Sequence, residues 1–311
     1  MPLHTDSERV LRALDEQGFP AFEQVSVAVI RELLDGLIQV QGPPAPMAQV
    51  TDTSVPGPGG PIPVRVYRPG PPDGRPRPLV VFFHGGGWVA GSVDLVDRPL
   101  RGLAAATGAV VASVGYRLAP ETRFPGPVLD AYAAVDALAL RAAEFGAAPD
   151  RLVVAGESAG ANLATAACRI AVEHGGPDIG LQLLICPITA PARDSPFPSY
   201  QEHARGYVNT RAAMEHFWDL YLARPEDATH PWAAPLLADD LSRQPPALIL
   251  TAEYDPLRDE GEEYGRRLRA AGVPTTVSRY AGMLHIFFLL PRLTAFQEAV
   301  DEVGRALRAR W

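Results

Sequence analysis

The chain has 311 residues, 47% hydrophobic and 21% charged, enough apolar material for one large core or for a domain carrying an insert. A formal net charge of −8 disfavours phosphate backbones and anionic lipid, and no basic cluster interleaved with aromatics offsets it, so nucleic acid is not an expected partner. All 28 basic residues are arginine, which removes the Walker lysine, the Schiff-base lysine and the S-x-x-K serine hydrolases.

From the N-terminus, MPLHTDSERVLRALDE lacks the basic region and apolar core of a signal peptide, and no later apolar run approaches bilayer length. A cytoplasmic protein without a membrane span is therefore expected. The first sixty residues read as helical and then rich in Pro and Gly, supplying no sheet strand. Strands are expected at Pro63–Arg68, Leu79–Phe83, Val110–Val114, Leu152–Ala155, Leu181–Cys186, Ala247–Thr251 and Thr275–Tyr280, several of them continuous apolar runs typical of strands covered on both faces. Helical patterns fall between them at Pro127–Phe145, Ala161–Glu173, Gly261–Ala271 and from about Leu293. This alternation predicts an α/β fold with a mostly parallel sheet. Ala190–Leu237 breaks the rhythm with PARDSPFPSY and an aromatic, amphipathic helix around Thr210–Leu222. It and the N-terminal segment are candidate lids over the strand ends. Cys168 and Cys186 have neither CxxC spacing nor histidine partners at metal-ligand intervals, so free thiols are expected and no metal site.

The stretch RLVVAGESAGANLA runs from an apolar strand through Gly156-Glu157-Ser158-Ala159-Gly160 into a helix, the context of a G-x-S-x-G nucleophile elbow. Glycines on either side let the chain turn sharply, so that the Ser158 Oγ stands exposed. A helix-capping serine is the bland alternative. A serine hydroxyl needs a base, and the base an orienting carboxylate; in the α/β-hydrolases, whose elbow this stretch resembles, they follow in the chain order Ser, acid, His. Asp255 follows the strand ALILTAEY, and His285 follows the strand around VSRY. Both lie at the sheet edge that carries the elbow. Glu253, Asp259 and Glu260 crowd the same turn, and Asp255 is preferred as the carboxylate nearest the strand end. His4, His174, His203, His216 and His230 fall in helical or loop segments. In FFHGGGWVAG the glycines leave backbone amides open to a developing oxyanion. Gly85, Gly86 and Ala159 are the expected donors, with His84 holding the loop. A phosphate-binding glycine loop would need G-x-G-x-x-G opening a helix plus a ribose-binding acid, or a lysine, and neither pattern is present.

HGGGW, GYRLAPETRFP, GESAGAN, TAEYDPLRDEG and GMLHIF, in this order and spacing, resemble the hormone-sensitive lipase branch of the α/β-hydrolases, the bacterial family IV esterases, from about Val64 to the C-terminus. The resemblance implies an eight-stranded, mostly parallel sheet flanked by helices. It also implies a helical cap formed by residues 1–50 and an insert at 190–237, with residues 51–189 and 238–311 as the two parts of the catalytic domain. Hydrolysis of short- to medium-chain carboxylic esters without a cofactor is implied, with Ser158, Asp255 and His285 as triad and Gly85, Gly86 and Ala159 as oxyanion donors. Tyr116, Arg117 and Glu121 are structural in that pattern. Three positions depart from it: Ala161 and Ile286 stand where glycine is usual, and Gly115 where an acid is common. Trp88, Leu257 and Ile286 are expected to line the pocket, with Met214, Phe217 and Trp218 closing it from the cap. Lactones, amides and carbamates remain alternative substrates, a non-catalytic small-ligand receptor is the other class of reading, and a homodimer is an open expectation.

Overall fold

Apolar runs too short for helices and bounded by turns become strands, and those buried on both faces settle at the centre of a sheet. A computed structural model describes residues 2–71, 74 and 76–311. It contains β1 (Gln49–Val55), β2 (Ile62–Arg68), β3 (Leu79–Phe83), β4 (Val110–Val114), β5 (Leu152–Glu157), β6 (Leu181–Ile185), β7 (Ala247–Tyr254) and β8 (Thr275–Leu284) in one sheet, ordered β1-β2-β4-β3-β5-β6-β7-β8. β1 and β2 pair antiparallel, as do β2 and β4, and the remaining pairs are parallel. Every residue of β3, β4, β5 and β6 is buried. The connecting helices are α3 (Asp97–Thr107), α4 (Gly126–Leu140), α5 (Ala159–His174), α8 (Arg258–Ala270) and α9 (Thr294–Arg310).

One expectation is corrected. The first sixty residues do supply a strand, β1, which pairs with β2 along its whole length. Its sequence, QVTDTSV, alternates rather than runs apolar, and only Val55 is buried. An edge strand of this kind needs no hydrophobic run, because one side of its ladder and much of its surface face water.

β3 has β4 on one side and β5 on the other. The chain therefore leaves β3 in one direction and returns to its opposite flank, which opens a crevice between the carboxyl ends of β3 and β5, where α/β folds bind ligands. HGGGW follows β3 and GESAG ends β5. The N-terminal segment forms α1 (Thr5–Glu16) and α2 (Val27–Gly36), and Leu34 of α2 lines the space at these ends. From the segment after β6 come α6 (Ser199–Glu202) and α7 (Arg211–Tyr221). Phe22, between α1 and α2, meets Phe217 of α7 with ring centroids 5.7 Å apart. Arg31 of α2 donates to both oxygens of Glu121 and to the carbonyls of Val89 and Ala119.

Candidate active site

Ser158 sits between β5 and α5 with φ 56° and ψ −119°, a left-handed backbone that costs a non-glycine residue of order 1–3 kcal/mol. The neighbouring glycines make this turn sterically feasible. A Cβ on Gly156 would overlap the Gly160 carbonyl, and one on Gly160 would overlap the carbonyls of Phe83 and His84. The Ser158 amide donates to Ile185 O at 2.8 Å, tying the turn to β6.

His285 follows directly on β8. Its Nε2 lies 3.0 Å from Ser158 Oγ and its Nδ1 lies 2.7 Å from Asp255 Oδ2. An ionised carboxylate only accepts, so the proton belongs on Nδ1 and Nε2 is left to accept from the serine hydroxyl. The other Asp255 oxygen accepts from the Leu257 amide at 3.1 Å and from Asn209 Nδ2 at 3.3 Å. Burial works against a charged imidazole here, but Asp255, aided by Glu157, outweighs it, and the His285 pKa is raised above its ordinary 6.5.

The neighbouring acids in the same turn are committed elsewhere. Glu253 accepts from the Gly282 amide, Asp259 from Arg258 and the Ser199 amide, and Glu260 from the amides of Thr189 and Ala190. His203, in the segment after β6, packs against Arg258 with Nε2 3.1 Å from its guanidinium.

The glycine run solves a crowding problem. A Cβ on Gly85 would overlap the Glu157 carboxylate, one on Gly86 the Ala90 carbonyl, and one on Gly87 the Phe217 ring. The Gly85 amide faces Glu157. Among the described residues the amides of Gly86 and Ala159 have no protein acceptor, as befits a turn and the first residue of a helix. His84 is buried and braces this loop: its Nδ1 lies 2.8 Å from Gly85 O, its carbonyl accepts from Tyr116 OH, and its ring stacks on Tyr116. Burial pulls its pKa down to about 4, so it is neutral at pH 7. Tyr116, Arg117 and Glu121 are all held in structural contacts, Arg117 through a bidentate pair with buried Asp130.

Glu157 is the residue that the motif concealed, standing at a free position of G-x-S-x-G. It is 2% exposed, and its Oε1 lies 3.6 Å from His285 Nε2. Burial pushes its carboxyl up to about 7, with His285 and the Gly85 amide pulling the other way and Asp255 adding to the rise. A cavity of about 50 Å³ opens at Ser158, with Ile286, Met214 and Phe217 among its lining. Phe22, Leu34, Val208 and Asn209 line it too, and nothing in their local sequence marks them. Trp88, Leu257 and Trp218 lie outside that lining. Trp88 is buried against Tyr221 with centroids 4.0 Å apart, and Trp218 packs edge-on to Trp88.

Cys168 and Cys186 are free and buried. Among the described residues one group has metal-ligating atoms close together, Cys186, Asp255 and His285, within 4.8 Å. It is a poor cation cage: burial pushes the Cys186 thiol well above its usual range, and Asp255 and His285 already hold each other. No helix among the described residues is long and apolar enough to cross a membrane.

Comparison with known proteins finds similar sequences and similar folds. A family model described as the alpha/beta hydrolase fold matches residues 80–289. The carboxylic ester hydrolase LipN of Mycobacterium tuberculosis is 42% identical over 270 residues, 84% of this chain and 70% of the relative. The arylesterase of Saccharolobus solfataricus is 32% identical over 94% of each chain. Among solved structures, a hyperthermophilic esterase from Pyrobaculum calidifontis superposes with a TM-score of 0.92 at 39% identity, covering 99% of both chains.

Proposed function

Since the chain belongs to the hormone-sensitive-lipase-like branch of the α/β-hydrolases, we propose that it is a serine carboxylesterase cleaving short- to medium-chain carboxylic esters through an acyl-enzyme. The observation that carries this reading is the unbroken relay from Ser158 Oγ through His285 to buried Asp255, at 3.0 and 2.7 Å.

His285 Nε2 takes the hydroxyl proton as Ser158 Oγ attacks the ester carbonyl, and Asp255 stabilises the imidazolium. The carbonyl oxygen, now an oxyanion, receives the amides of Gly86 and Ala159, while the neighbouring Gly85 amide is held by Glu157. Fixed donors of this sort contribute roughly 3–4 kcal/mol each in comparable sites. Collapse expels the alcohol, which takes the proton from Nε2. A water then gives a proton to Nε2 and attacks the acyl-enzyme; the acyl–Oγ bond breaks, Ser158 Oγ takes the proton back from Nε2, and the acid leaves. The α1–α2 segment and the insert containing α7 cover the site together as a cap, a role supported by the Phe22–Phe217 contact. The small cavity at Ser158 favours short acyl groups.

The test is turnover of p-nitrophenyl esters from acetyl to palmitoyl by the native chain and by Ser158→Ala. Hydrolysis of the shorter esters that falls by roughly 10⁴-fold or more in the variant is expected. A Ser158→Ala protein that keeps the native rate on any ester the native chain hydrolyses, or a native chain that hydrolyses none of the series, rules the proposal out.

A further inference from the structure

Behind the small catalytic cavity lies a second, larger space. A groove of about 630 Å³ runs between α1, α2 and the segment after His285, an order of magnitude more room than the 50 Å³ at Ser158. α2 separates the two with its two faces. Leu34 lines the catalytic cavity, whereas Val29, Leu33 and Leu37, one helical stripe of i and i+4 neighbours, line the groove. The segment after His285 repeats the division, with Leu289 on the catalytic side and Leu290 on the other. Among the described residues Ile286 alone belongs to both linings. It is only 6% exposed, and it is the residue next to the imidazole that faces Ser158.

We propose that Ile286 sets the chain-length limit of the ester site: its side chain is the partition that closes the catalytic cavity against the apolar groove beneath α2. This inference rests on the esterase reading above. The occupant of the groove, once the partition is trimmed, is the aliphatic chain of the ester. The walls favour hydrocarbon, and the charges at the rim, Asp6, Arg9, Glu32 and Arg292, include both signs and so offer no anion or cation a net attraction. An isoleucine trimmed to alanine loses the atoms beyond Cβ, which leaves an opening continuous with both spaces.

The experiment compares kcat/KM on p-nitrophenyl butyrate with that on the decanoate, and on ethyl acetate with that on decyl acetate, so that acyl and alcohol chains are distinguished. In Ile286→Ala the long-to-short ratio is expected to rise by at least about ten-fold on one of the two pairs, and in Ile286→Phe to fall. Adding Leu33→Trp, which fills the groove from α2, should cancel the rise. If Ile286→Ala does not fold, judged by circular dichroism and melting, Ile286→Val carries the test with a smaller rise on the same pair. Ratios that stay flat in the folded variants, while the native chain still hydrolyses the butyrate, overturn the proposal. So does a rise that survives Leu33→Trp. A native chain that cleaves no ester defeats the esterase reading itself, and the limit set by Ile286 falls with it.

Discussion

At the scale of single residues, function depends on a few side chains whose ionisation is set by burial and by one another. His285 must be neutral to take a proton, and Asp255 and Glu157 raise its pKa against the effect of burial. The acid limb of the kcat/KM profile is therefore expected to have its midpoint above the ordinary histidine value of about 6.5. Burial pushes the Glu157 carboxyl up to about 7, so replacing it with Gln removes the partial negative charge that it carries near neutral pH, 3.6 Å from Nε2, and weakens the preference for imidazolium. The midpoint should then move to lower pH, and a profile measured across pH 5 to 9 reads it directly. An unchanged or higher midpoint contradicts the assigned electrostatics. Ser158, Asp255 and His285 were legible as candidates because each follows directly on a strand the pattern had marked. Glu157 was not, because its environment includes Gly85, which packs against its carboxylate from the loop after β3, a contact no local motif encodes. His84 reads from the sequence as a brace for the loop rather than as the base, and its stacking on Tyr116 and its full burial give that reading a physical basis.

At the scale of elements, the turn that carries Asp255 also anchors the segment after β6. Glu260 holds the amides of Thr189 and Ala190, Asp259 that of Ser199, and Arg258 the Glu202 carboxylate. One short acidic stretch thus fixes the start of the insert relative to the catalytic acid. Burial pushes the Glu260 carboxyl up to about 8, although the two amides pull it down. Between its ordinary 4.5 and that value the folded chain retains a proton that the unfolded chain releases, so this group makes stability fall as pH rises across that window, by up to about 1.4 kcal/mol per pH unit. Glu260→Gln keeps an acceptor for the amides and removes the titration. Its melting temperature should decline less between pH 5 and 8 than that of the native chain, as read by scanning calorimetry, and an equal decline in both refutes the assignment. The crowding of acids in DPLRDEG was visible in the sequence, but their division of labour was not, since it depends on which side chains point towards β8 and which towards the insert. β1 escaped for a different reason: an edge strand with a polar alternating sequence gives no apolar run to detect.

At the scale of the whole molecule, the sheet order brings three distant stretches of chain to one crevice. Residues 84–87, 157–159 and 285 converge at the switch between β3 and β5 and at the end of β8. The strand-helix alternation made the α/β class legible, and the motif spacing made the strand ends legible. How the α1–α2 segment and the insert close over the crevice was not, because amphipathic helices show which face is apolar and not what it packs against. The most direct test of the proposed chemistry is mass spectrometry of the intact chain after reaction with a p-nitrophenyl alkylphosphonate, followed by peptide mapping. The expected result is one phosphonyl group per chain on Ser158, formed faster as pH rises through the His285 transition and absent from Ser158→Ala and, within the same time, from His285→Ala. A phosphonyl group on any other residue, or labelling of Ser158 at the native rate without His285, would contradict it.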